Sequence, residues 1–205
     1  MGIKMTFIDE EIAKMLRRQR MQEKKEAQQG QEEKEAAMLD EKEIIKEIEK
    51  GSCTIFDQTF LFEPYKILGE KVQVYLPKEG LEIKVDDQEV FTAIQMEEAR
   101  SFQYTLNGLK KEFEPLSVYK ENMKKNLKKT NMQFKWVEEG CILNNNMKIQ
   151  YIEFINPTGV GTIHNHMWFI MTPYGQMICN LNYNHEDEKY WRPMIKALIK
   201  LVEMY

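Results

Sequence analysis

The stretch that decides the fold is Thr162-Ile-His-Asn-His-Met-Trp-Phe-Ile-Met-Thr172, Pro173-Tyr174-Gly175, Gln176-Met-Ile-Cys-Asn-Leu-Asn-Tyr183. Two runs rich in Ile, Phe, Trp and Met flank a Pro-Tyr-Gly turn, the composition of two strands joined as a hairpin. Proline and glycine set turn dihedrals directly, so the chain reverses between the runs. The pattern continues upstream. Segments 132–138 and 148–155 read as strands, with Asn144-Asn145-Asn146 and Asn156-Pro157-Thr158-Gly159 as the turns that separate the strands. Four consecutive antiparallel strands are therefore expected here.

The flanks supply the helices. After the hairpin, Trp191, Met194, Ile195, Leu198, Leu201, Val202 and Tyr205 lie on one broad face of a helix of about 17 residues. Before the four strands, Leu116, Tyr119, Met123 and Leu127 make an apolar stripe on a helix over 112–129. Lys120, Lys124, Lys125, Lys128 and Lys129 cover its other faces as a solvated surface or a docking patch for an acidic partner. Further upstream, strands are predicted over 52–62, 66–76, 90–96 and 101–106, and Pro77 closes the second of them. Strands followed by a packed helix argue for an α+β fold, an antiparallel β-sheet packed by a mid-domain helix and a C-terminal helix.

The closing run Glu188-Lys189-Tyr190-Trp191-Arg192-Pro193-Met194-Ile195 pairs an acidic residue, Trp and Pro at the entry of the last helix. With the strand ending in Leu76-Pro77, the helix over 112–129 and the late hairpin, this order of elements resembles the PsbP-like fold. That superfamily includes the photosystem II extrinsic protein, a yeast Ran-binding protein and bacterial chaperones for secreted effectors. The resemblance covers about residues 55–205 and implies a fold that hosts mainly non-catalytic binding proteins; fold alone does not fix function.

Residues 1–50 read differently, as a charged helical N-terminal arm or linker, with the α+β domain assigned to 51–205. The arm has 11 Lys+Arg against 13 Asp+Glu and no proline. Ile8, Ile12, Met15 and Leu16 fall at i, i+4, i+7 and i+8, a narrow apolar stripe on one helix face. Only Met21 and Ala27 relieve the polar run that follows. A second stripe of Leu39, Ile44, Ile45 and Ile48 ends at Gly51. The first stripe is the candidate for docking on another protein or on a second copy of the chain.

Composition excludes several classes. The chain of 205 residues has a formal net charge of -4, and neither half is basic, so general nucleic-acid binding is not indicated. No run approaches the ~18 apolar residues of a membrane span, and no secretory leader is legible. Cys53, Cys141 and Cys179 are far apart and odd in number, which points to reduced thiols and a cytoplasmic location.

His164 and His166 sit two apart in a strand and face one side, and His185 follows the hairpin. Together they make a candidate metal set, against the plainer reading of a half-exposed polar sheet face beside Trp168. Cys179 and His166 are the one conceivable nucleophile and base. Gly159-Val160-Gly161 precedes a strand, so it reads as a turn rather than a phosphate loop. Tyr151, Phe154, Trp168, Phe169, Tyr174, Tyr183 and Tyr190 are core residues or, if several share an exposed face, a docking surface. No cofactor is implied. The expected function is a non-catalytic, chaperone-like protein-binding accessory, acting through the arm residues and Trp168. The alternatives are an immunity-type inhibitor of a toxin with a compact acidic face, and a metal-binding protein using the three histidines.

Overall fold

Alternation of apolar with polar side chains writes most of the strands, and three amphipathic helices cover their apolar faces. In a computed structural model of the chain, residues 40–110, 112–129, 133–144, 147–159 and 161–205 are described. The order is α1 (Glu41–Glu49), β1 (Ser52–Ile55), β2 (Gln58–Ile67), β3 (Val72–Pro77), β4 (Glu82–Asp86), β5 (Val90–Gln95) and β6 (Arg100–Asn107). Helix α2 (Leu116–Lys129), β7 (Lys135–Asn144), β8 (Met147–Thr158), β9 (Gly161–Thr172) and β10 (Gly175–Asn184) follow. A 3-10 turn (His185–Asp187), α3 (Glu188–Lys200) and β11 (Glu203–Met204) close the chain.

Two antiparallel sheets result. The smaller has the order β1-β2-β3-β11, and the larger β4-β5-β6-β10-β9-β8-β7. Helix α3 lies between them. Its Trp191 ring meets Phe60 and Phe62 of the smaller sheet at 5.5 and 6.5 Å, and Phe102 of the larger at 5.9 Å. Helix α2 covers the opposite face of the larger sheet, where Tyr119 stacks on Phe169 at 4.0 Å above Ile152 and Phe154. The architecture is thus α+β with a mid-chain and a C-terminal helix, as the sequence predicts.

The β9–β10 turn needs glycine at 175. Its φ is +129°, and a Cβ there would run into the backbone of Asn107 and Gly108. The hairpin is thereby seated against the end of β6.

Four details differ from the sequence reading. The strand expected over 52–62 breaks at Phe56-Asp57, where Phe56 takes φ 54° and the chain turns back so that Ile55 pairs with Gln58. Strand β4 was not anticipated, because all five of its residues are exposed and no alternation of burial marks it. The last helix stops at Lys200, and Glu203 and Met204 pair with Gln73 and Val72 as an edge strand. Finally, the strand expected over 66–76 starts only at Val72, because β2 ends at Ile67 and the chain turns through Leu68, Gly69 and Glu70 at positive φ. Helix α1 lies in the compact unit that starts at Asp40. Ile44 and Ile48 of α1 are buried, and Gly51 ends the helix with φ +98°. The arm residues Ile8, Ile12, Met15 and Leu16 lie outside the described residues. Among those described, no helix is long and apolar enough to cross a membrane.

Candidate functional site

Two features of the α3 neighbourhood carry chemistry: a buried polar cluster under one side of the helix and an open cleft at its N-terminal end.

The cluster follows from strand parity. On β8 and β9 the side chains facing α3 include Tyr151, Glu153, His164, His166 and Trp168, and the register sets Glu153 opposite His166. Along α3, Glu188, Arg192 and Lys196 are spaced i, i+4 and i+8, so this polar stripe lies over that patch of sheet. Glu153, His164 and His166 are fully buried. The two imidazoles stack with centroids 4.7 Å apart, which bears out the reading that they face one side. They are not the half-exposed surface that was the plainer expectation, because α3 closes over them.

Glu153 is the hub. Its Oε2 accepts from Arg192 Nε at 3.1 Å, and Arg192 Nη2 also reaches Glu138 Oε2 at 2.6 Å. Lys196 donates to the same Glu138 oxygen at 3.2 Å, and Tyr151 donates to Glu138 Oε1 at 2.6 Å. Burial alone would raise the Glu153 carboxyl, but the neighbouring His164 and His166 imidazoles and the charge of Arg192 hold it well below its usual range. Burial also pushes the His166 imidazole below its ordinary value. The pair therefore consists of an ionised Glu153 held by Arg192 and a neutral His166.

His185 does not complete a three-histidine set. Its Nδ1 is 3.3 Å from Glu188 Oε2, and Glu188 Oε1 in turn is 3.8 Å from His164 Nδ1. It belongs to a second, more exposed trio of His164, His185 and Glu188. Cys179 pairs in register with Trp168, while His166 pairs with Leu181, so the nucleophile–base arrangement is not formed. Burial also pushes the Cys179 thiol far up.

Trp168 cannot serve as an exposed partner contact: only 2% of it is accessible, and it stacks on Tyr151 at 5.2 Å. Phe154, Phe169, Tyr183 and Tyr190 are buried too, so the aromatic docking face does not form on this sheet. The residues that sequence reasoning missed are Glu153, Glu188, Arg192 and Glu138. Their signal was present in the parity of Glu153 with Tyr151, and in the charged i, i+4, i+8 row on an otherwise apolar helix.

The cleft opens where the two sheets diverge beside α3. It encloses about 650 Å³, with Phe60, Leu61, Pro77, Met96 and Trp191 as its apolar surface. Met96 is 72% exposed and Leu61 38%. Glu79, Glu82, Glu97, Glu98 and Asp187 supply acidic groups. Among the described residues of the lining the one cation, Arg100, is spent: it pairs with Glu98 at 3.0 Å and Asp187 at 3.1 Å, over the Trp191 ring.

No protein-family model matches the chain, and no curated protein matches it. Solved structures do. Cyanobacterial PsbP (CyanoP) from Synechocystis aligns with a TM-score of 0.56 at 11% identity, over 76% of this chain and 98% of that one. PA94 of Pseudomonas aeruginosa, a protein of unknown function, aligns at 0.43 and 13% identity, over 68% and 94%. A Bacteroides thetaiotaomicron protein aligns at 0.46 and 10% identity, over 70% and 48%. The likeness to CyanoP is one of fold, and in that sense the PsbP-like resemblance read from the sequence is present in the structure.

Proposed function

We propose that the chain is a non-catalytic, cytosolic, chaperone-like accessory protein that binds another protein through the cleft between β2 and the β5–β6 turn. The observation that carries this is the lining itself: exposed apolar side chains, Leu61 and Met96, surrounded by carboxylates, with Arg100 already paired. An apolar segment with basic flanks complements that surface, since its side chains bury against Leu61 and Met96 while Lys or Arg meets Glu79 and Glu97. Besides Thr59 and the paired Arg100, the polar side chains of the lining are amides and carboxylates suited to holding a segment of chain. The free thiols support a reducing compartment. The acidic rim also favours a second reading, an immunity-type inhibitor that occludes a toxin's active site.

The test is partner capture with the full chain, followed by titration of the purified partner. Leu61→Asp with Met96→Asp, and separately Glu79→Lys with Glu97→Lys, are expected to weaken binding by about tenfold or more. Binding untouched by both pairs would place the contact elsewhere on the chain. Turnover of the partner would overturn the non-catalytic reading, and loss of a toxic activity in the 1:1 complex would select the inhibitor.

A further inference from the structure

The cleft leaves the buried cluster without a role, and the cluster is costly. Burying a carboxylate and two imidazoles is unfavourable unless each polar atom finds a partner. Here several do not. Glu153 Oε1, His166 Nδ1 and both ring nitrogens of His164 are buried without a hydrogen-bond partner among the described residues. These orphaned atoms are not scattered. The donor atoms of Glu153, His164 and His166 all lie within 4.8 Å of one another.

The distances decide between two explanations. Were this a plain network of charge-assisted hydrogen bonds, nitrogen and oxygen would sit about 2.7–2.9 Å apart. Instead His166 Nδ1 is 3.4 Å from Glu153 Oε1, and His164 Nε2 is 3.6 Å from Glu153 Oε2. Zinc takes nitrogen at about 2.0–2.1 Å and carboxylate oxygen at about 2.0–2.2 Å, so the edges of its tetrahedron are about 3.3–3.6 Å. Both separations are too long for the first arrangement; the one from His166 Nδ1 to Oε1 matches such an edge, and the one from His164 Nε2 runs to the other oxygen of the same carboxylate.

The outer contacts agree. The other ring nitrogen of a metal-bound histidine is ordinarily held by a carboxylate or another polar group. His166 Nε2 is 3.2 Å from the buried Tyr183 hydroxyl, which leaves Nδ1 directed at Glu153. His164 Nδ1 faces the Glu188 carboxylate, which leaves Nε2 directed at Glu153. Arg192 donates to Oε2 of Glu153, whereas Oε1 accepts no hydrogen bond among the described residues and has the Lys196 ammonium 3.7 Å away. Carboxylates outnumber cations here: Glu138, Glu153 and Glu188 face Arg192 and Lys196.

We propose that Glu153, His164 and His166 form a mononuclear binding site for a first-row divalent metal ion, zinc by ligand type, with a fourth position left for water. Two imidazoles and a carboxylate suit zinc and its neighbours rather than calcium or magnesium, which select oxygen donors. His185 is outside the site.

The experiment is a calorimetric titration of zinc chloride into the full chain after treatment with a chelator. One equivalent is expected to bind, and Co(II) in its place is expected to give the visible bands of a tetrahedral nitrogen–oxygen site without a thiolate band. His166→Gln and Glu153→Gln are each expected to lower zinc affinity by at least about 100-fold, by loss of a direct ligand. His185→Gln and Cys141→Ser should leave it within about threefold. Because substitutions at buried positions can unfold the chain, the wild-type protein supplies an independent readout: zinc should shift the imidazole resonances of His164 and His166 and leave those of His185. Absence of stoichiometric binding, or binding that follows His185 or Cys141 instead, would overturn the proposal.

Discussion

At the scale of single residues, environment separates side chains that look alike in the sequence. Cys53 and Cys179 are buried and Cys141 is exposed. Burial, and then the nearby Glu47 carboxylate, push the Cys53 thiol from 9.0 up to about 12. Thiolate is the reactive form, so an alkylating reagent at neutral pH should label Cys141 alone in the folded chain and all three cysteines after unfolding. Peptide mapping of the labelled protein checks this. The same shift bears on stability. A thiol whose folded pKa is raised stabilises the fold fully below its unfolded value and loses that contribution as pH rises through the folded one. The Cys53 contribution is therefore intact below 9.0 and declines towards about 12. Cys53→Ala should flatten that part of the pH–stability curve, measured by denaturant melts. Gly175 is a second case. Its φ of +129° and the Asn107 backbone against its α-carbon leave no room for a side chain. Gly175→Ala should cost roughly 1–3 kcal/mol, read as a lower urea midpoint with an unchanged slope.

At the scale of elements, what was legible depended on whether burial alternates along the segment. Strands β9 and β10 carry their own pattern, as do β5 and β6, and each lies within a few residues of its expected span; β3 starts six residues later than expected, because its predicted span 66–76 runs across the turn that follows β2. Strand β4 has no buried side and rests only on its hydrogen bonds to β5, so period-two reading had nothing to find. The Phe56 turn was hidden because a phenylalanine at positive φ is not a turn signal. Helix α1 shows the opposite difficulty. Its apolar stripe was visible, but a single stripe does not reveal what it packs on. In the structure Ile44 and Ile48 are buried, and Lys200 of α3 forms an ion pair with Glu41. Removing α1 would delete both isoleucines and expose the faces of α3 and β1 they cover. A chain starting at Asp40 should thus unfold cooperatively, whereas one starting at Ser52 should lose cooperativity or fail to fold. Ile48→Ala in the full chain should cost about 2–5 kcal/mol, checked by chemical denaturation. A chain starting at Ser52 that melts like the longer one would mean α1 only rests on the domain.

At the scale of the whole molecule, the last helix joins what the chain order keeps apart. Among the described residues the two sheets share no ladder, and α3 fills the space between them, with Trp191 reaching Phe60, Phe62 and Phe102. The same helix turns Arg192 and Lys196 onto Glu153 and Glu138, and its entry turn supplies Asp187 to the cleft. Both candidate sites thus depend on one element. The sequence displayed its apolar face and its histidine partners separately, but their convergence depends on long-range pairing across three strands, which local periodicity does not encode. The arrangement has a consequence for unfolding. If α3 couples the sheets, neither can unfold while the other stays native, and the described unit should melt in one transition. Far-ultraviolet circular dichroism and tryptophan fluorescence should then give coincident curves. Trp191 is 1% exposed, and its removal leaves a cavity that touches both sheets at once. Trp191→Ala should cost about 3–5 kcal/mol, a large share of the ~5–15 kcal/mol that typically holds a domain together. Coupling through α3 further requires that this loss lower the two probes together. Separate transitions in the variant, with the larger sheet outlasting the smaller, would mean that Trp191 is the bond between them; separate transitions already in the unaltered chain would show that the sheets are independent and α3 a bystander.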